Sequence, residues 1–178
     1  TEGNLNHRAF SVVAVDDDTV YIGTANGINK TINANDLYPS WIKYNHQNQD
    51  EPISGNFITA LAYNSFNNTI WASSWKAEDV AEFYGVSAST NGGENWETYL
   101  GEERAHNFGF KGGNVFAATD NGAFRTTNQG STWILPANIV DKETGVALQT
   151  TLFYSISAFQ HDDGWDIWLG SADGLARL

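Results

Sequence analysis

The chain has 178 residues, 41% of them apolar, with 9 basic against 21 acidic side chains and a net charge of −12. That apolar share is enough for a core, which excludes disorder as the main state. The acidic balance repels a phosphate backbone and excludes a nucleic-acid partner. There is no cysteine, so disulfides, thiolate-held zinc and thiol catalysis are excluded. No stretch reaches the roughly 18 consecutive apolar residues of a membrane helix, so no membrane insertion is expected. Position 1 is Thr and methionine is absent throughout, which leads us to expect a piece of a longer protein.

In chain order, one segment is written four times. Val20-Tyr21-Ile22-Gly23-Thr24, Ile70-Trp71-Ala72-Ser73-Ser74, Val115-Phe116-Ala117-Ala118-Thr119 and Ile167-Trp168-Leu169-Gly170-Ser171 share a pattern. They start at positions 20, 70, 115 and 167, so the spacings are 50, 45 and 52 residues. A period of about 40–50 residues suits a four-stranded propeller blade. Each copy follows another apolar run (residues 10–15, 57–63, 107–110 and 154–159) across a short polar turn. In three copies an Asn-Gly or Asp-Gly pair comes after it, at Asn26-Gly27, Asn121-Gly122 and Asp173-Gly174. Such pairs supply the positive φ that tight hairpins require. A third run follows at 28–31, 86–90, 123–127 and 175–178. A fourth opens at Trp41, Trp96 and Trp133.

The pattern predicts an all-β fold. It is a single β-propeller segment over 1–178, with about four four-stranded antiparallel blades near 10–44, 57–100, 106–136 and 154–178. Strands are named A, B, C and D in each blade, and the last blade lacks its D strand. Residues 1–9 hold one large apolar residue, Leu5, and make a poor closing strand. We therefore expect further blades in the full-length protein, or self-association of two chains to close a ring. Only Lys76 to Phe83 has a helical period. There Val80 and Phe83 are predicted to face the blade, and Glu78, Asp79 and Glu82 to face water.

Between strands C and D the chain reads Ser89-Thr90-Asn91-Gly92-Gly93-Glu94-Asn95-Trp96, and again Thr126-Thr127-Asn128-Gln129-Gly130-Ser131-Thr132-Trp133. The copies are 37 residues apart and in register with the blades. They resemble the Asp-box of BNR-type propellers, with Asn in the Asp position. The ending Asp173-Gly174-Leu175-Ala176-Arg177-Leu178 resembles blades of two-component-regulator and photosystem-assembly-factor propellers, and sortilin-like blades also carry the box. The resemblance implies a structural box: Ser89, Asn91, Gly93 and Trp96, then Thr126, Asn128, Gly130, Thr132 and Trp133. Asn accepts turn amides, Gly takes the left-handed position, and both tryptophans are expected to be buried. Families carrying the box include sialidases, xyloglucanases, receptors and assembly factors, so the box does not fix an activity.

Meander geometry places A–B and C–D turns at one rim and B–C and D–A loops at the other. The second rim holds the longest insertions, 45–56, 76–84 and 137–151, and long loops on a rigid scaffold carry function. The candidate binding residues there are His46, Trp75, Lys76, Glu78, Asp79, Glu82, Tyr84, Arg104 and His106. Trp75 and Tyr84 are the candidate exposed aromatic platform, whereas Trp71 and Trp168 occupy a repeated core slot. No spacing singles out a catalytic carboxylate pair, and no catalytic residue or cofactor is assigned. The weak calcium candidates are Asp16, Asp18, Asp162 and Asp163, which sit at equivalent A–B turns. The four histidines lie far apart, which leaves a zinc site without support.

The reading is a non-catalytic interaction or sensing module of a secreted or surface bacterial protein, extracellular or periplasmic. It binds a protein or glycan through the B–C/D–A rim. The rivals are a partial glycoside hydrolase completed by missing blades and an assembly factor docking on a protein complex.

Overall fold

The computed structural model describes residues 8–77, 79–136, 139–140 and 143–178. Its described residues form an all-β fold of antiparallel meanders. The first sheet joins β1 (Ala9–Ala14), β2 (Val20–Thr24), β3 (Gly27–Thr31) and β4 (Ile42–Tyr44) in sequence order. The second joins β5 (Phe57–Asn64), β6 (Thr69–Trp75), β7 (Gly85–Ser89) and β8 (Glu97–Tyr99). The third holds β9 (Ala105–Lys111), β10 (Asn114–Thr119) and β11 (Gly122–Thr126), and the fourth β12 (Phe153–His161), β13 (Gly164–Ser171) and β14 (Gly174–Arg177).

Twelve of these strands are the A, B and C runs read from the sequence. The third sheet corrects the expected four-stranded pattern. Where a D strand was expected after Trp133, the chain makes a single bridge between Ile134 and Arg125. Pro136 follows two residues later, and a residue without an N–H cannot extend a ladder.

The chain forms two compact units, Thr1–Ala105 and His106–Leu178. The core of the first gathers Tyr21, Ile28, Tyr44, Ile53, Ile58, Ile70, Ala72 and Trp96. Its first two sheets meet at Gly23, where a Cβ would stand 2.6 Å from the Ile58 methyl. Only glycine permits that approach. The second unit packs Ala118, Ala123, Phe153, Ile156, Ile167 and Leu169 together. The shared strand-B slot is less uniform than its sequence. Trp71 is fully buried against Tyr99 of β8, with ring centroids 5.8 Å apart. Trp168, expected to be core, is 38% exposed on β13, the middle strand of the β12–β13–β14 sheet. The Arg177 guanidinium lies 5.8 Å from its ring centroid and is bonded to Asp166 at 2.9 Å.

Buried phenols are expected to make the first unit alkali-sensitive. Burial pushes the Tyr21 hydroxyl up to about 12, and the nearby Tyr44, Tyr63 and Asp16 add to it. Tyr44 and Tyr99 are also raised, chiefly by burial. A folded pKa above the unfolded value of about 10 gives stability that is complete below pH 10 and lost as pH rises through the folded value. The melting temperature is expected to be level just below pH 10 and to fall from there toward pH 12. Tyr21→Phe should blunt that fall. An identical alkaline slope in the variant would show that Tyr21 does not contribute.

Candidate functional site

At the B–C/D–A rim of the first unit, two short segments are locked together. The 45–56 loop is anchored by Ile53, which is fully buried. His46 is pinned rather than free. Its N–H donates to Asn56 Oδ1 at 2.8 Å, and its Nδ1 lies 2.6 Å from the Ile53 carbonyl. The 76–84 insertion is tied to this loop by the Phe83 N–H donating to the Ser54 carbonyl at 2.9 Å.

That insertion corrects the sequence reading. Its described residues are not helical and make a turn at Val80 and Ala81, closed by the Ala81 N–H donating to Asp79 Oδ1 at 2.9 Å. Val80, expected inside, is 92% exposed, and Glu82, expected in water, is only 4% exposed. The Glu82 carboxylate repays its burial with four donors. The Ala77 N–H lies at 2.7 Å, Asn56 Nδ2 at 2.8 Å, and the Asn56 N–H and Gln47 Nε2 at 3.2 Å. A buried charge is tolerated when it is hydrogen-bonded this fully. Glu78 lies outside the described residues.

Beside this latch is a cavity of about 360 Å³ lined by Ala25, Asn26, Gln47, Asn56, Ala77, Asp79 and Glu82. Gln47 Nε2 reaches both Asp79 and Glu82 at 3.2 Å, so the two carboxylates are close. The Asp79 carboxyl is held below its ordinary range. The Ala81 N–H is the main cause, then the Gln47 amide, with smaller help from the charges of His46 and Lys76. Residues 45–56 and 76–84 were visible in the sequence as insertions. The roles of Asn26, Gln47 and Asn56 were not, because an isolated amide has no sequence signature.

The expected aromatic platform is not open. The Arg104 guanidinium lies 4.5 Å from the Tyr84 ring centroid and 5.4 Å from that of Trp75, and donates to the Tyr84 hydroxyl at 3.0 Å. Trp75 also stacks on Phe57, with centroids 6.3 Å apart. The two rings are half-buried and covered by the cation.

In the second unit, His106 Nε2 lies 2.7 Å from Asp120 Oδ1, and its ring tilts against Tyr154. A second, largely apolar cavity of about 180 Å³ lies beside the Asn121-Gly122 turn, lined by Leu135, Pro136, Ile139, Leu148 and Phe153 among others.

The calcium candidates do not converge. Asp16 Oδ1 accepts the N–H groups of Asp18 at 2.9 Å and Thr19 at 2.7 Å, which lowers its pKa and closes the A–B turn. Asp18, Asp162 and Asp163 are exposed turn residues. Among the described residues no group of three or more His, Asp or Glu side chains is arranged to hold a metal ion.

At the opposite rim, the C–D turns share one hydrogen-bond pattern. Asn91 Oδ1 accepts the Ser89 hydroxyl at 2.9 Å and the Asn95 N–H at 3.0 Å, and the Gly93 N–H donates to Ser89 Oγ at 2.8 Å. Thr126, Asn128, Gly130 and Thr132 repeat it at 2.9, 3.0 and 3.0 Å. Gly93 and Gly130 stand at φ 96° and 97°, in the left-handed region. Trp96 is buried and donates from Nε1 to the Gly93 carbonyl at 3.0 Å. Trp133 is half-buried, less than expected, because its sheet stops at one bridge. The first sheet has a third version that the sequence reading missed. Asn33 Oδ1 accepts the Thr31 hydroxyl and the Ser40 N–H, each at 2.9 Å, before Trp41. The extra residues between Asn33 and Ser40 hid the motif.

No protein-family model matches the chain. No curated protein matches it either. Solved β-propeller structures match it over nearly its whole length. An ancestral GH74 enzyme superposes on 96% of the chain with a TM-score of 0.68 and 20% identity. The extracellular domain of a hybrid two-component system from B. thetaiotaomicron covers 95%, with a TM-score of 0.64 and 17% identity. PorZ, a surface component of the type-IX secretion system of Porphyromonas gingivalis, covers 94%, with a TM-score of 0.63 and 14% identity. The matched part is 22%, 21% and 24% of those three proteins, so the chain spans between a fifth and a quarter of their length. At these identities the likeness establishes the fold: the chain is a β-propeller segment of antiparallel sheets of three or four strands.

Proposed function

We propose that this chain is a non-catalytic recognition module of an extracellular or periplasmic bacterial protein, and that it takes a glycan at the B–C/D–A rim. The observation that carries the reading is the 360 Å³ cavity whose polar lining is Asn26, Gln47, Asn56, Asp79 and Glu82. Amides and carboxylates together offer the donors and acceptors that sugar hydroxyls need. The two-component extracellular domain and the surface protein PorZ support the location. The C–D turns are read as Asp-box turns that stiffen the scaffold, supported by their repeated Asn and Ser/Thr hydrogen bonds.

The close Asp79–Glu82 pair and the GH74 likeness favour a second reading, a partial glycoside hydrolase. Such an enzyme needs one carboxylic acid with a raised pKa. Asp79 is lowered, and Glu82 is spent on four internal donors. The recognition reading is therefore preferred.

Calorimetric titration with xyloglucan oligosaccharides tests both. Saturable binding without turnover is expected, weakened roughly tenfold by Asn26→Ala or Asp79→Asn, the effect of losing one or two ligand hydrogen bonds. Absence of binding would overturn the glycan reading. Hydrolysis that disappears in Asp79→Asn would establish the second one.

A further inference from the structure

We propose that the long C–D connection of the first sheet, residues 32–42, is a docking surface for a protein segment that carries apolar side chains flanked by Lys or Arg. It lies at the A–B/C–D rim, opposite the cavity, and is independent of the glycan reading.

The connection is longer than its turn requires. The Asn side chain closes the second and third C–D turns onto the N–H four residues on, at Asn95 and Thr132. In the first sheet the same bond reaches seven residues, from Asn33 to Ser40. The residues inside the two short turns are small or polar. The longer turn instead presents Leu37 and Tyr38, which are 84% and 86% exposed. Ile32, Trp41 and Ile42 flank them and are 61%, 45% and 51% exposed. Apolar side chains gathered at this density in one connection mark an interaction site.

The loop is nonetheless ordered. Asn33 Nδ2 donates to Asp36 Oδ2 at 2.7 Å, the Asp36 N–H donates to the Asn33 carbonyl at 3.1 Å, and the Ser40 hydroxyl donates to Asn33 Oδ1 at 3.2 Å. Asn35 Nδ2 donates to the Asp17 carbonyl and the Ala34 N–H to the Asp18 carbonyl, both at 2.9 Å. The polar groups thus hold the backbone while the apolar ones point outward. A partner meets a pre-formed surface and loses less in ordering it.

Charge selects the occupant. The same bonds set the exposed Asp17 and Asp18 beside the loop, and Asp36 lies within it. These three aspartates outnumber the two nearby lysines. Lys30 donates to the Gly92 carbonyl at 2.9 Å, and Lys43 alternates to the other face of β4 from Ile42. An apolar centre with an acidic margin complements an apolar segment with a basic margin. A second copy of this chain brings a net charge of −12 and the same aspartates, and an anionic membrane is repelled in the same way.

The probe is a short synthetic peptide of Leu and Phe flanked by Arg, measured by fluorescence polarisation on the whole chain. We expect saturable binding that weakens with salt and falls roughly tenfold or more in the Leu37→Ser, Tyr38→Ser double variant. Both side chains are exposed, so the variant should melt as the parent does. A charge-matched peptide with Gly in place of Leu and Phe should bind far more weakly. No binding by the parent, equal binding by the double variant, or equal binding of the Gly peptide would each overturn the proposal. So would a dimer in sedimentation, or binding to vesicles, that the double variant abolishes. The Asn26→Ala variant should bind the peptide unchanged, which separates this surface from the glycan cavity.

Discussion

Replacing Glu82 by Ala is expected to destabilise the first unit by about 2–4 kcal/mol. The carboxylate is 4% exposed and is the common acceptor for Asn56, Ala77 and Gln47. Its removal strands several buried donors, each costing roughly 1–3 kcal/mol when unsatisfied. Water entering from the adjoining polar cavity lowers the sum. Glu82→Gln keeps the shape but turns an NH2 toward an N–H donor, so about half the loss is expected. Denaturant unfolding followed by tryptophan fluorescence measures both. An Ala variant within about 0.5 kcal/mol of the parent, the range of ordinary surface substitutions, would refute the latch. The same logic applies to the whole insertion. Replacing residues 76–84 by Asn-Gly removes Glu82 and the Phe83–Ser54 bond together, so a large drop in melting temperature is expected. The insertion is a brace as well as a wall of the cavity.

The strands were legible because short apolar runs rich in β-branched and aromatic residues, Gly turns and a repeat near 50 residues all point the same way. Several details were not. Three of the A strands carry a register shift at the same place, between Ala9 and Ser11, Ile58 and Ala60, and Phe153 and Ser155. A bulge needs no particular residue, so no composition announces it. Lys76 to Phe83 has a helical period, but a helix that short is marginal in water. Four donors to one carboxylate outweighed it and turned Glu82 inward. The rim of the first unit was thus legible as loop length, while the residues that make its cavity polar emerge from tertiary hydrogen bonds between loops distant in sequence. The repeat was also read as more regular than it is. Trp133 occupies the slot of Trp96, yet the chain after it pairs at a single bridge, and Trp168 occupies the slot of Trp71 yet is 38% exposed.

That irregularity predicts unequal effects from the same substitution. Trp96 is 5% exposed within the cluster of Tyr21, Ile28, Tyr44, Ile53, Ile58, Ile70 and Ala72. Its N–H donates to the Glu51 carbonyl at 2.9 Å, and its indole to the Gly93 carbonyl at 3.0 Å. Trp96→Ala removes a large buried ring and one of two donors to that carbonyl, which keeps Gln49 Nε2 at 2.7 Å, for an expected cost of about 3–5 kcal/mol. Trp96→Phe keeps most of the apolar area and loses chiefly the indole bond, so about 1–2 kcal/mol is expected. Trp133 is half-buried, and the chain after it pairs at one bridge before Pro136. Less apolar area is lost when it is truncated, and the surroundings collapse more easily, so Trp133→Ala is expected to cost about 1–2 kcal/mol. Because each tryptophan lies in a different compact unit, hydrogen exchange resolved along the chain reads the two effects separately. Equal losses at the two positions would mean that the turn itself, rather than the strand beyond it, sets what each tryptophan contributes.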